Sequence, residues 1–392
     1  MSDLWGPLKE RYTRSGPRRL LALDGGGIRG AMTLEILAEI ERQLRELRGG
    51  GPDFRLSDFF DYVGGTSTGA IIAAGIARGM SVADLLDFYV SVGPQMFDKA
   101  ALWRRWKHLY DADPLREKLQ EVFGAETDLS PANLRCLLLV VTRNATTDSP
   151  WPISSNPLAR YNDLSRPDCN LAIPLWRLVR ASTAAPVFFP PEVIEWDPND
   201  PAKAFVFVDG GVTPYNNPAM ILYRMATQAE YRLGWPSGED ELMLVSVGTG
   251  AAPVLGTTAD APESHLLATG KGVLGALMNG AGIEQDINCR VFGRCIHGDL
   301  IDSEVGDLIP RDEGGERIPL EQKLGRAFLY ARYQPDLTAE GLAKLGLSGI
   351  DPEAVQALDA VDRIGDLRRI GRALAARDVR MEDFGALVTG SP

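Results

Sequence analysis

Apolar and polar positions alternate in blocks along the first half of the chain. Leu20-Leu21-Ala22-Leu23 is a short apolar run that begins after Arg18-Arg19 and stops at Asp24 and the glycines Gly25-Gly26-Gly27. Such a run bounded by turn residues predicts a buried strand. Leu34, Ile36, Leu37, Ile40, Leu44 and Leu47 follow at the spacing of an amphipathic helix over residues 31–47, stopped by Gly49-Gly50-Gly51-Pro52. A second strand-turn-helix unit comes next. Phe59-Phe60-Asp61-Tyr62-Val63 predicts a strand, Gly64 to Gly69 a turn, and the small aliphatic run from Ala70 to Ala77 a helix packed on a sheet. Cys136 to Thr142, Phe205 to Val208 and Leu242 to Val247 predict three more buried strands. Strands that alternate with helices define an α/β chain with a mostly parallel sheet.

Between these elements, residues 84–110 are rich in aromatics, with Lys99, Arg104, Arg105 and Lys107 among Phe97, Trp103, Trp106 and Tyr110. Residues 144–170 read as an ordered surface excursion and residues 251–270 as a loop or linker. Asp351-Pro352 predicts a helix start, with Asp as cap and Pro in the first turn. Val355, Leu358, Val361, Ile364, Leu367, Ile370 and Leu374 then make one apolar face. The organisation expected is an N-terminal extension (1–17), a catalytic domain (18–255) and a helical C-terminal region (256–392) packed upon it.

Composition narrows the function classes. The chain has 392 residues, 45% hydrophobic and 24% charged, ordinary values for a globular protein. Its net charge of −12 argues against a nucleic-acid partner, whose binding starts with phosphate neutralisation. Cys136, Cys169, Cys289 and Cys295 have no metal-binding or redox spacing, which predicts reduced thiols and no metal site. The Asn144-Ala145-Thr146 sequon reads as accidental. No apolar run reaches signal-peptide or membrane-spanning length, so the expectation is a cytoplasmic protein.

The candidate chemistry sits at the turns. Gly65-Thr66-Ser67-Thr68-Gly69 is a G-x-S-x-G elbow between an apolar strand and a small-residue helix. Such a turn displays the Ser67 oxygen, and the helix N-terminus behind it favours developing negative charge. Asp24-Gly25-Gly26-Gly27-Ile28-Arg29-Gly30 also follows a strand and opens a helix. It matches a dinucleotide fingerprint, but that reading needs an acidic residue at the end of the next strand, and Asp53 follows Gly51-Pro52 in a loop. The alternative is that consecutive glycine amides cradle an oxyanion, with Arg29 adding charge or locking the loop. Asp209, ahead of Gly210-Gly211, ends the run Phe205 to Val208, where catalytic groups gather in open α/β sheets. The serine needs a base. His108, His265 and His297 each lack a supporting motif, which makes a Ser67-Asp209 pair more economical than a triad.

Together, DGGGIRG at 24–30, GTSTG at 65–69 and DGG at 209–211 resemble the patatin-like phospholipases. Ala181 to Pro186 ahead of Phe188-Phe189-Pro190, and Ser246 to Gly250, are similar to the family as well. The resemblance covers roughly residues 18–250. It implies a three-layer α/β/α fold with Ser67 as nucleophile and Asp209 as base. It further implies an oxyanion hole around Gly25, Gly26, Gly27 and Arg29, and phospholipase A activity on membrane phospholipids without cofactor or metal. Gly30, Gly65, Gly69, Gly210 and Gly211 are the remaining motif glycines.

Rival readings remain: a nucleotide-dependent oxidoreductase, a binding module with a vestigial site, a Ser-His-Asp esterase, a signal-regulated phospholipase effector, and a carboxylesterase for neutral acylglycerols. Residues 96–107 are a candidate lid or interfacial patch for transient contact with a membrane surface. Oligomeric state is open.

Overall fold

The computed structural model describes residues 4–97, 114–186, 188–197, 199–251 and 266–388. Nine strands, β1 (Arg18–Leu23), β2 (Tyr62–Thr66), β3 (Leu137–Asn144), β4 (Ser149–Ser154), β5 (Glu192–Glu195), β6 (Ala204–Asp209), β7 (Leu242–Val247), β8 (Arg294–His297) and β9 (Leu329–Tyr333), form one sheet. Their order is β5-β6-β3-β2-β1-β7-β9-β8, with β4 paired to β3. Pairing is parallel from β3 through β2, β1, β7 and β9 to β8, and antiparallel where β4, β5 and β6 join.

The helices that bear on the site are α1 (Gly30–Leu47), α2 (Thr68–Ala77), α3 (Val82–Phe97), α4 (Leu175–Ser182), α5 (Ala219–Thr227), α6 (Leu266–Phe292) and α7 (Ile364–Asp378). They cover both faces of the sheet. Leu21, Leu23, Val63 and Val140 point into a core shared with α1, α2 and α4. Leu20, Ala22, Tyr62, Leu139 and Val141 point the other way, toward α5. Burial on both faces explains why the central strands read as continuous apolar runs rather than alternating ones. The three-layer α/β/α architecture is the one expected.

Four local expectations change. Phe59 is the last residue of a one-turn helix, Leu56–Phe59, and β2 starts only at Tyr62. The turn is fixed by the Asp58 carboxylate, which accepts the Arg55 amide, and by fully buried Asp61, which accepts the Arg19 amide at 2.9 Å and the Arg11 Nε at 3.0 Å. The excursion at 144–170 contains β4. Within it Asn144 is buried and its Oδ1 accepts the Thr146 and Thr147 amides, so the sequon is part of a closed turn. The C-terminal apolar face is not one helix. A short turn, Pro352–Gln356, capped by Asp351, ends where Ala357 is extended, and α7 begins only at Ile364. Finally, β8 and β9 carry the sheet past the boundary expected near residue 255. The C-terminal region thus adds strands to the sheet as well as helices around it.

All four cysteines are buried and unpaired. Among the described residues no helix is long and apolar enough to cross a membrane. The patch expected at 96–107 lies, beyond Phe97, outside the described residues, as do His108 and His265.

Candidate active site

β2 delivers Ser67 at its C-terminal end, and α2 starts one residue later. Ser67 has φ 54° and ψ −123°, a conformation that costs a non-glycine residue about 1–3 kcal/mol. The surroundings hold it there. Its amide donates to Ser182 Oγ at 2.9 Å, and that hydroxyl donates to the Val141 carbonyl at 2.6 Å. The two elbow glycines permit backbone contact. A Cβ on Gly69 would stand 2.2 Å from the Leu23 carbonyl oxygen, and one on Gly65 would stand 2.1 Å from the Gly69 carbonyl oxygen. On the loop side, a Cβ on Gly30 would stand 2.7 Å from Thr68 Oγ1.

Asp209 ends β6, beside Thr142 of β3, and points at the elbow. Ser67 Oγ donates to Asp209 Oδ2 at 2.6 Å, and the Gly211 amide donates to Oδ1 at 2.6 Å. Both side chains are buried. Burial pushes the Asp209 carboxyl up to about 6, while the bonds from Ser67 and Gly211 and the charge of Arg180 pull the other way. A buried carboxylate near 6 that accepts a serine proton has the position and the basicity of a general base at neutral pH. Gly210 lets this turn form, since a Cβ there would lie 2.2 Å from the Val141 oxygen.

The glycine loop faces this pair. Gly26, Gly27, Ser67 and Asp209 line a cavity of about 40 Å³ together with Phe188, Phe189, Met278 and Leu358. Of the three amides expected to cradle an oxyanion, that of Gly25 already donates to the Asn216 carbonyl at 3.1 Å. Those of Gly26 and Gly27 have no acceptor among the described residues and are the pair left for an oxyanion. Arg29 is half-buried and lines a neighbouring cavity of about 630 Å³. Its Nε lies 3.4 Å from the Gly26 carbonyl, which suits the loop-locking alternative better than direct contact at Ser67. Burial lowers its guanidinium to about 10.

Several residues outside the three glycine motifs complete the site, Thr249 from the Ser246 to Gly250 segment and Arg332 and Leu358 with no chemical signal of their own. Thr249 Oγ1 donates to the Gly25 carbonyl at 2.9 Å and packs on Gly26. Arg332 of β9 grips Asp24 with two bonds, 2.9 and 2.5 Å, in a buried pair at the root of the loop. Leu358 accepts the Ile28 amide at 3.0 Å. By contrast, His297 packs on Tyr333 beside Asp383 and does not line the cavity, and burial pushes its imidazole down to about 4. Asp53 sits in an exposed turn and lines neither cavity. Among the described residues no cluster of His, Cys, Asp or Glu could hold a metal ion.

A doubly covered, mostly parallel sheet makes this an α/β protein, and an elbow serine bonded to a strand-end aspartate under a glycine loop is an arrangement with the chemistry acyl transfer needs. The sequence model of the patatin-like phospholipases matches residues 21–223, and the chain belongs to that family. Patatin-T5 of Solanum tuberosum is 30% identical over 268 residues, covering 65% of this chain and 66% of that protein. A cGAMP-activated phospholipase of Vibrio cholerae is 32% identical over 215 residues, covering 52% of this chain and 56% of that one. The chain thus spans just under two thirds, or less, of the length of these relatives. The crystal structure of VipD from Legionella pneumophila aligns over 90% of this chain and 67% of its own at 15% identity, with a TM-score of 0.36, too low to carry an argument.

Proposed function

We propose that the chain is a serine-dependent lipid acyl hydrolase of phospholipase A type, working through Ser67 and Asp209 without metal or cofactor. The observation that carries this reading is the 2.6 Å bond from Ser67 Oγ to Asp209 Oδ2, between two buried side chains that line one cavity with the glycine loop. Asp209 takes the Ser67 proton as Oγ attacks the ester carbonyl. The Gly26 and Gly27 amides stabilise the oxyanion. Asp209 returns the proton to the departing lysolipid oxygen, leaving an acyl-Ser67 ester. Water then gives its proton to Asp209 and attacks that ester, the fatty acid departs, and the proton goes back to Ser67. The site is proposed to act from the cytoplasm at a membrane surface.

The experiment is mass spectrometry of a mixed phospholipid and glyceride extract incubated with wild type and with Ser67→Ala. Fatty acid and lysophospholipid release by wild type alone is expected. Equal release by the variant would remove the proposal, and release from glycerides only would replace phospholipase by neutral-lipid esterase.

One observation favours a second reading, a hydrolase under the control of a signal. The cavity beside Ser67 is small, about 40 Å³. A fatty-acyl chain gains room beside Ser67 when Leu358, Met278 or the Phe188-Phe189 wall moves. The Vibrio cholerae relative, named for its activation, supports this reading by similarity.

A further inference from the structure

Among the described residues twelve large hydrophobics are exposed, and half of them lie between positions 277 and 305: Leu277, Ile283, Val291, Phe292, Leu300 and Val305. They concentrate on α6. Exposed Ala276, Leu277, Gly280, Ile283 and Val291, with half-buried Ile287, recur at helical spacing and form an outward stripe about 20 Å long. Glu284 is the one charged residue on it. A helix on a protein surface ordinarily turns its polar face to water, so an apolar outward face marks a contact surface.

The position of α6 says which contact. Its opposite face reaches the candidate active site, since Met278 lines both the 40 Å³ catalytic cavity and the 630 Å³ cavity beside it. Ile283 and Leu300, 42% and 71% exposed, border the larger cavity from the outside. The apolar stripe therefore borders, at Ile283, the larger cavity, which shares Met278 and Leu358 with the cavity at Ser67.

We infer that the outward face of α6 is the surface that docks the protein on a lipid bilayer. The inference rests on the lipid hydrolase reading and assigns that site its interface. The charge pattern also selects the bilayer. The stripe has no Lys or Arg, and the chain carries a net −12, so an anionic surface repels it and a zwitterionic one does not. Docking comes from buried apolar side chains and survives salt.

The test uses the full chain with phosphatidylcholine vesicles and with a soluble short-chain ester. Leu277→Asp/Val291→Asp changes two exposed positions outside both cavities. The bound fraction of wild type is expected to persist in 0.5 M salt. The double variant is expected to lose about 20-fold in vesicle affinity and vesicle turnover, and to keep short-chain ester turnover within twofold. Unchanged vesicle affinity in the variant would overturn the inference. So would a wild-type dimer that the variant converts to monomer, because a second copy would then cover the stripe. If wild type binds vesicles through the stripe but hydrolyses neither substrate, the hydrolase reading fails and the docking surface stands.

Discussion

Replacing Asp209 by Asn is expected to abolish turnover and to stabilise the protein at the same time. An amide accepts a hydrogen bond but takes no proton, so Ser67 loses its base, a loss of roughly 10³-fold or more in kcat/KM for a soluble ester. The stability gain follows from linkage. The folded-state carboxyl stands at about 6 against 3.8 for the unfolded chain. The folded protein therefore binds this proton more tightly. The stabilisation is complete below about pH 3.8 and disappears as pH rises through about 6. Above that, holding the ionised carboxylate in a dry site costs about 3 kcal/mol. The neutral asparagine escapes most of this cost. Urea unfolding should put the variant about 2 kcal/mol above wild type at pH 8 and level with it near pH 4. The same group sets the pH profile, so wild-type kcat/KM should rise through a midpoint near 6 to a plateau. More than a tenth of wild-type activity in the variant, or a wild-type midpoint near 4, would remove Asp209 from the mechanism.

Arg332→Ala is expected to cost about 3–5 kcal/mol, because it leaves Asp24 buried without its cation. The pair ties the last residue before Gly25 to β9, so activity should fall with stability as the glycine loop loses its anchor. Lysine cannot reproduce the two-pronged grip and should rescue little. Adding Asp24→Asn to Arg332→Ala should recover at least about 1 kcal/mol, since it removes the stranded charge. A loss under about 1 kcal/mol in the single variant, read from thermal unfolding, would show that the pair does not hold the loop.

These two residues mark the boundary of what the sequence discloses. Ser67, the glycine loop and Asp209 are legible because each combines a local pattern with a strand in front of it. Their side-chain chemistry and backbone setting lie within a few residues of one another. Arg332 is not legible, since 308 positions separate it from Asp24 and one arginine in a strand looks like another. Ser182 and Thr249 lie in segments similar to the family, but their bonds to the elbow and the loop, like that of the Asn216 carbonyl, are announced by no periodicity. The Phe59-Phe60 run shows a different limit, because an apolar run has the same composition in a buried turn as in a strand. Leu358 shows a third. The 3.6-residue spacing continues through the break at 357–360, so the pattern placed on a helix face a residue whose carbonyl is bonded to Ile28 above the catalytic cavity. β8 and β9 escaped notice because Arg294–His297 is only four residues long and Leu329–Tyr333 places Arg332 within a buried strand.

A covalent acyl intermediate at Ser67 is the event that defines the Ser67-Asp209 mechanism. Wild type mixed with an activated short-chain ester and quenched within the first turnover should gain the mass of one acyl group in intact-protein spectra. Peptide mapping should place it on Ser67, and Ser67→Ala should gain none. Turnover without any acylated enzyme, or an acyl group mapped to another residue, would contradict the Ser67-Asp209 mechanism.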